Sequence, residues 1–93
     1  MDFEWDENKN EENIIKHDGI SFEKALEAFD DPVALSLEDP EHSNNEEIRY
    51  AVVGMSEFGL TFVSFSYQDE SIRLISARKA SKTMEKKYDE QKF

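Results

Sequence analysis

The hydrophobic rhythm of the chain changes several times, and each change predicts an element. Asp2-Phe3-Glu4-Trp5 alternates acidic and aromatic positions, which suits a short strand or an extended lead-in. Asp6 follows as a helix N-cap, because its carboxylate can accept the free N–H groups of a first turn. A helix is therefore expected over residues 7–17, with Glu7 at its positive end. Its only strongly apolar residues are Ile14 and Ile15, so the predicted buried stripe is narrow, and Gly19 provides the stop. Ser21 caps a second helix in which Phe22, Ala25, Leu26 and Phe29 share one face at i, i+3, i+4, i+7 spacing. Asp30-Asp31-Pro32 ends it, since the residue before proline disfavours helix.

The period then falls to two. Val33, Leu35 and Leu37 alternate with smaller or polar residues, predicting a half-buried strand. Residues 38–45 read as a polar loop. Residues 47–54 read as a strand with Ile48, Tyr50 and Val52 on one face and Arg49, Ala51 and Val53 on the other. Residues 55–59 suit a hairpin connection, and 60–67 form the most apolar strand, expected at the centre of the sheet. After a turn at 68–70, Ile72, Leu74 and Ser76 alternate with Arg73, Ile75 and Ala77 in a last strand. From Arg78 to Asp89 a helix is expected, with Ala77, Ala80, Met84 and Tyr88 along one stripe. The predicted class is α+β: two N-terminal helices, an antiparallel sheet of about four strands and a C-terminal helix, with the helices on one face.

At 93 residues the chain holds one domain, expected to span 1–93. A hydrophobic fraction of 38% supports a small core and is too high for a wholly disordered chain. No apolar run approaches the roughly 18 residues of a membrane span, so no membrane partner is expected. The acidic start lacks the apolar core of a secretory signal, which makes a cytoplasmic location the expectation. With no cysteine, disulfides, thiolate catalysis and Cys-type metal sites are excluded.

Charge changes the picture more. The formal net charge is -11, a poor footprint for nucleic-acid binding on average. Yet residues 1–72 carry four bases against 19 acids, whereas 73–93 carry seven bases against three acids. The basic C-terminal segment can hold an anion or pair with the acidic remainder.

Several residues could carry chemistry. His17, at the end of the first helix beside Lys16, is either a proton-transfer group or a His interacting with the helix dipole or packed in the core. His42 among loop carboxylates lacks metal-ligand spacing and reads as solvated. Arg49 and Arg73 sit in predicted strands with Arg78 just beyond, and guanidinium forks match phosphate oxygens; the alternative is pairing with the abundant carboxylates. P-loop, GxGxxG, HExxH and nucleophile-elbow patterns are absent from the sequence.

Taken in order, Phe3-Glu4-Trp5-Asp6, Lys9, Asn13, Lys16-His17, Gly19, Ser21-Phe22-Glu23, Ala25, Asp31-Pro32, Arg73, Ile75-Ser76-Ala77-Arg78, Glu85 and Tyr88 resemble the pattern of the BrnT family, toxins of bacterial type II toxin–antitoxin pairs. The likeness spans nearly the whole chain. One departure is Asp18, which stands between His17 and Gly19 where the family usually goes straight from His to Gly, and which can shift the end of the first helix and the aim of His17. The resemblance implies a RelE-like fold and a ribonuclease that restrains translation without a cofactor or metal. It implies neutralisation by a more basic, DNA-binding BrnA-type antitoxin that covers the toxin's positive edge, in a heterotetramer that holds operator DNA through the antitoxin. Metal-free RNA cleavage by the ribose 2′-OH needs a base, an acid and cations around the phosphorane. Arg49, Arg73 and Arg78 are the expected phosphate ligands, Lys16 or His17 the proton carriers, and Glu47 an alternative base. The competing class is an inactive interaction module that still binds an antitoxin, which the acidic load favours. An acidic nucleic-acid mimic would want regularly spaced carboxylates, and the sequence shows no such spacing.

Overall fold

A computed structural model describes residues 2–38, 43 and 47–91. The expected polar loop at 38–45 lies largely outside these residues, as does His42. The elements run β1 (Asp2–Glu4), α1 (Glu7–Lys16), α2 (Phe22–Ala25) continued by a 3-10 turn (Leu26–Asp30), β2 (Leu35–Glu38), β3 (Arg49–Ser56), β4 (Gly59–Gln68), β5 (Ser71–Lys79) and α3 (Lys82–Gln91).

The class is α+β, with a five-stranded mixed sheet in the order β1-β5-β4-β3-β2. Four strands are antiparallel neighbours as expected, and β4 lies at the centre. The fifth is the lead-in: β1 pairs parallel with the start of β5, Phe3 opposite Ile72 and Glu4 opposite Arg73. Three residues give too little pattern to predict a partner so distant in sequence.

The helices cover both faces of the sheet rather than one. Alternation along β3 sends Val52 to a core with Ile20, Phe22, Ala25, Ala28, Val63, Phe65 and Leu74, beneath α2 and its 3-10 continuation. Ala51 and Val53 point the other way, to Phe62 and to Tyr88 of α3. A short link through Ala80 and Ser81 turns α3 under the sheet. Ser81 caps it, its Oγ accepting from the Met84 N–H at 3.2 Å.

The capping residues behave as the sequence indicates. The Asp6 carboxylate accepts from Asn8 N–H (2.8 Å) and Lys9 N–H (3.3 Å), and Ser21 Oγ accepts from Lys24 N–H. The second helix departs from expectation after one turn. Phe22, Ala25 and Ala28, spaced by three, are all fully buried, as the tighter 3-10 winding requires. A tight contact explains the small residues. A Cβ on Gly54 of β3 would lie 2.3 Å from the Ala28 carbonyl oxygen, so this turn sits directly on the strand backbone.

The largest correction concerns α1. Its buried residues are Asn10 and Asn13, whereas Ile14 is 37% and Ile15 84% exposed. The helix does not pack on the sheet's apolar face but on the edge of β5 past the end of β1, where backbone groups need partners. Asn13 supplies them. Its Nδ2 donates to the carbonyls of Ala77 (2.8 Å) and Ile20 (2.9 Å), and its Oδ1 accepts from Ala77 N–H (3.0 Å). Asn10 Oδ1 accepts from Phe22 N–H in the same manner. Buried backbone groups left unpaired would be costly, which is why amides and not isoleucines face inward.

The last strand is longer than expected. Arg78 and Lys79 belong to β5, and α3 begins four residues after Arg78. Within β5 the alternation breaks: Ser64 pairs with Ser76 and Phe65 with Leu74, leaving Ile75 as the extra residue of a β-bulge. Ala77 therefore joins Ile72 and Leu74 in the α2-side core, and Ser76 joins Arg73 on the other face.

Candidate active site

Cross-strand register places the expected arginines on one face of the sheet. Arg49 of β3 lies opposite Ser66 of β4, which lies opposite Arg73 of β5. Farther along, Ala51, Ser64 and Ser76 form a second row, and Val53, Phe62 and Arg78 a third. Directly opposed residues project to the same side. This is the face that α3 covers at its Val53–Phe62 end.

At the edge of this face, α1 ends. His17 is the first residue past the helix, with φ -127° and its N–H donating to the Asn13 carbonyl at 2.9 Å. Asp18 and Gly19 both take positive φ, 53° and 82°, and the Gly19 N–H reaches back to the Ile14 carbonyl. Asp18 tolerates this conformation better than most side chains do. His17 is thereby set beside β5.

His17, Arg49, Phe62, Ser64, Ile75, Ser76 and Arg78 line one small cavity of about 140 Å³. A second recess of about 230 Å³ shares His17, Ile75 and Ser76 and adds Lys9, Glu12, Asn13 and Lys16. The shared residues make the two a continuous groove running from α1 onto the sheet. Larger depressions along α3, of about 530 and 420 Å³, contain neither arginine nor histidine.

Of the six expected site residues, His17, Arg49 and Arg78 line the smaller cavity, and Lys16 stands in the adjoining recess. Glu47 reaches the site through Arg49, its Oε1 accepting from Arg49 Nε at 3.2 Å. Arg73 shares the face but does not line the cavity. The alternative of internal ion pairing holds for Arg49 alone: among the described residues Arg73 and Arg78 have no carboxylate partner. Arg78 instead lies over the Phe62 ring, 4.8 Å from its centroid, a stacking that leaves the in-plane N–H groups free for an anion.

Sequence reasoning assigned no role to Lys9, Phe62, Ser64 or Ser76, all of which line the groove. Polar Ser64 inside the apolar run LTFVSFSY was the available signal for one of them. Three of the four bases in residues 1–72 (Lys9, Lys16 and Arg49) gather here with Arg73 and Arg78. The groove is thus a local cationic surface on an acidic molecule. Among the described residues no three His, Asp or Glu side chains converge as a metal-binding set, and no helix is long and apolar enough to cross a membrane.

An α+β domain with a cationic groove on one sheet face is a scaffold suited to binding a phosphodiester. Residues 5–83 match the family model described as ribonuclease toxin, BrnT, of type II toxin–antitoxin system. The chain belongs to this family of ribonuclease toxins. No curated protein matches it.

Proposed function

We propose that the chain, as one RelE-like domain, is a metal-independent endoribonuclease that restrains translation and is held in check by a BrnA-type antitoxin. The observation that carries this reading is the groove that joins His17, Arg49 and Arg78 on an otherwise acidic protein. A backbone phosphate would sit between Arg49 and Arg78, where guanidinium N–H groups can follow the charge that builds on the non-bridging oxygens. The substrate's 2′-OH attacks the adjacent phosphorus. Neutral His17, or Glu47 beside Arg49, takes the hydroxyl proton. The P–O5′ bond breaks, Lys16 or protonated His17 supplies a proton to the departing oxygen, and a 2′,3′-cyclic phosphate remains. Arg73, one row from Ser64 and Ser76, would hold a neighbouring phosphate.

Operator DNA would be held through the antitoxin in a heterotetramer, since the acidic body of this chain disfavours direct DNA binding. The toxin would act in the cytoplasm, where its RNA substrate is found. The inactive-module alternative differs in one respect only: it binds antitoxin without cutting RNA.

The test is RNA cleavage by purified protein in EDTA, at low and physiological salt, beside Arg78→Ala. Cleavage by the wild type with cyclic phosphate ends, reduced at least about a hundredfold in the variant, is the expected result. Equal cleavage by both would remove Arg78 from the site. A folded wild type that cuts neither free nor ribosome-bound RNA and does not arrest growth would leave the interaction module.

A further inference from the structure

The face of the sheet opposite the arginines carries a second surface feature. Five aromatic rings touch in sequence across it. Phe3 packs on Phe29 at 5.0 Å between centroids, and Phe29 on Phe65 at 5.2 Å. Phe65 meets Tyr50 at 5.9 Å and Tyr67 at 5.7 Å, and the two tyrosines meet at 5.2 Å. The 3-10 turn supplies the second ring of the stripe, Phe29. Phe65 at its middle is buried and Phe29 and Tyr50 are half-buried, but Phe3 is 36% and Tyr67 53% exposed. A half-exposed tyrosine backed by two other rings is held rigidly, the property of an interface anchor.

Carboxylates frame this stripe. Glu38 lies directly opposite Tyr50 in the β2–β3 ladder. Asp30 follows Phe29, and Asp69 and Glu70 form the turn just past Tyr67. All four are exposed, and among the described residues none has a cationic partner. Of the four bases in residues 1–72, Lys9, Lys16 and Arg49 line the groove on the other side, and Lys24 pairs with Glu57 at 3.4 Å.

We propose that this aromatic stripe, with its carboxylate frame, is the docking surface for a basic segment of the protein antitoxin. The segment would place an apolar anchor against Tyr67 and Phe3 and set Lys or Arg side chains against Glu38, Asp30 and Asp69. The proposal rests on the antitoxin reading above and locates the contact on the side of the sheet away from the arginine groove, not on the positive edge. The charge decides between classes of partner. Stacked bases would suit the tyrosines, but their phosphates would meet four unneutralised carboxylates, whereas a basic polypeptide satisfies rings and carboxylates together.

The experiment measures binding of the purified toxin to the purified product of the neighbouring antitoxin gene, at two salt concentrations. The variants are Tyr67→Ser and the double charge reversal Glu38→Lys/Asp69→Lys. The Tyr67→Ser variant is expected to bind at least about tenfold more weakly, chiefly through faster dissociation. The charge reversal is expected to slow association several-fold and to flatten its salt dependence. RNA cleavage by the free Tyr67→Ser toxin should match the wild type. The double variant alters only exposed carboxylates, so it carries the test should Tyr67→Ser fold poorly. Wild-type affinity in both variants would overturn this surface and leave the antitoxin reading intact. No binding by the wild type itself would overturn both. Loss of affinity for a 2′-O-methyl RNA oligonucleotide, with antitoxin binding unchanged, would make the stripe an RNA platform and overturn the proposal.

Discussion

Replacing Asn13 should damage the protein more than its position on a surface helix suggests, and the isosteric change to Asp should be at least as harmful as truncation to Ala. The side chain is 5% exposed and makes three hydrogen bonds of 2.8–3.0 Å, two of them to Ala77 on the sheet edge. At about 1 kcal/mol net for each bond, Asn13→Ala should cost about 3 kcal/mol, since the abandoned backbone groups remain buried. In a domain of this size that corresponds to a fall in Tm of roughly 10–20 °C. Asn13→Asp keeps the shape but turns the donating Nδ2 into an oxygen facing two carbonyls. Burial and these carbonyls would raise the pKa of the new carboxyl in the folded state. Its protonated form would then be stabilising below the ordinary Asp pKa of about 3.9 and lose that benefit as pH rises through the elevated folded value. The Asp variant should therefore recover part of its deficit in acid, and the Ala variant should not. Thermal and urea unfolding followed by circular dichroism at about pH 4 and pH 7 would measure both. An Asn13→Asp protein melting within about 2 °C of wild type at neutral pH would refute the account of how α1 is fastened to β5.

Three further outcomes can be checked with single variants. Gly54→Ala places a methyl 2.3 Å from the Ala28 carbonyl oxygen and should cost upwards of about 3 kcal/mol, visible as a collapse of the urea midpoint; near-neutral behaviour would mean that the 3-10 turn can lift off the sheet. Tyr88 donates its hydroxyl proton to Asp31 at 2.6 Å, and this bond, helped by burial and the charges of Asp31 and Asp89, raises its pKa from 10.0 to about 12. The folded state thus keeps a proton that the unfolded chain releases, so stability should fall as pH rises from 10 to 12; Tyr88→Phe should lack that slope in pH-dependent unfolding while being about 1 kcal/mol less stable at neutral pH. Phe62→Leu keeps an apolar side chain beneath Arg78 but removes the ring, and should lower RNA affinity about two- to fivefold with Phe62→Tyr restoring it; equal binding by all three in a filter assay would show that the stacking does not orient the guanidinium.

Much of this architecture is legible in the sequence because local rules govern it. Asp6 and Ser21 are caps wherever a helix follows them, and the alternation in residues 47–67 requires strands with two distinct faces. The arginines stand out because charged residues in strands need a reason. What escapes is nonlocal. Nothing in Asp2–Glu4 indicates that β1 joins β5 in parallel. Ile14 and Ile15 read as the inward stripe of α1 because hydrophobicity is the usual driving force for helix docking. Here the helix meets a strand edge, where unpaired backbone groups demand amides, so Asn10 and Asn13 turn inward instead. The stripe from Ala77 to Tyr88 shows perfect helical spacing, but Ala77 belongs to a strand because Ser81 supplies the real cap. The site suffers in proportion: the cations were identifiable one by one, but their convergence depends on the α1–β5 contact and on sheet register.

The extra residue at Ile75 makes chain length a determinant of the site, separate from side-chain identity. Arg73 and Arg78 are five positions apart, an odd interval that in an uninterrupted strand would send them to opposite sides. The bulge shifts the parity by one, and both emerge on the same side. A one-residue insertion between them, with the bulge kept, would preserve every arginine yet exchange inward and outward positions downstream, turning Arg78 toward the core beneath α2 and exposing Ala77, whereas removal of the extra residue would straighten β5 and leave both arginines on one side. Substitution of Ile75 itself, a half-buried position, leaves that count unchanged. Between residues 73 and 78 an added residue is thus under tighter constraint than the identity of the one in the bulge.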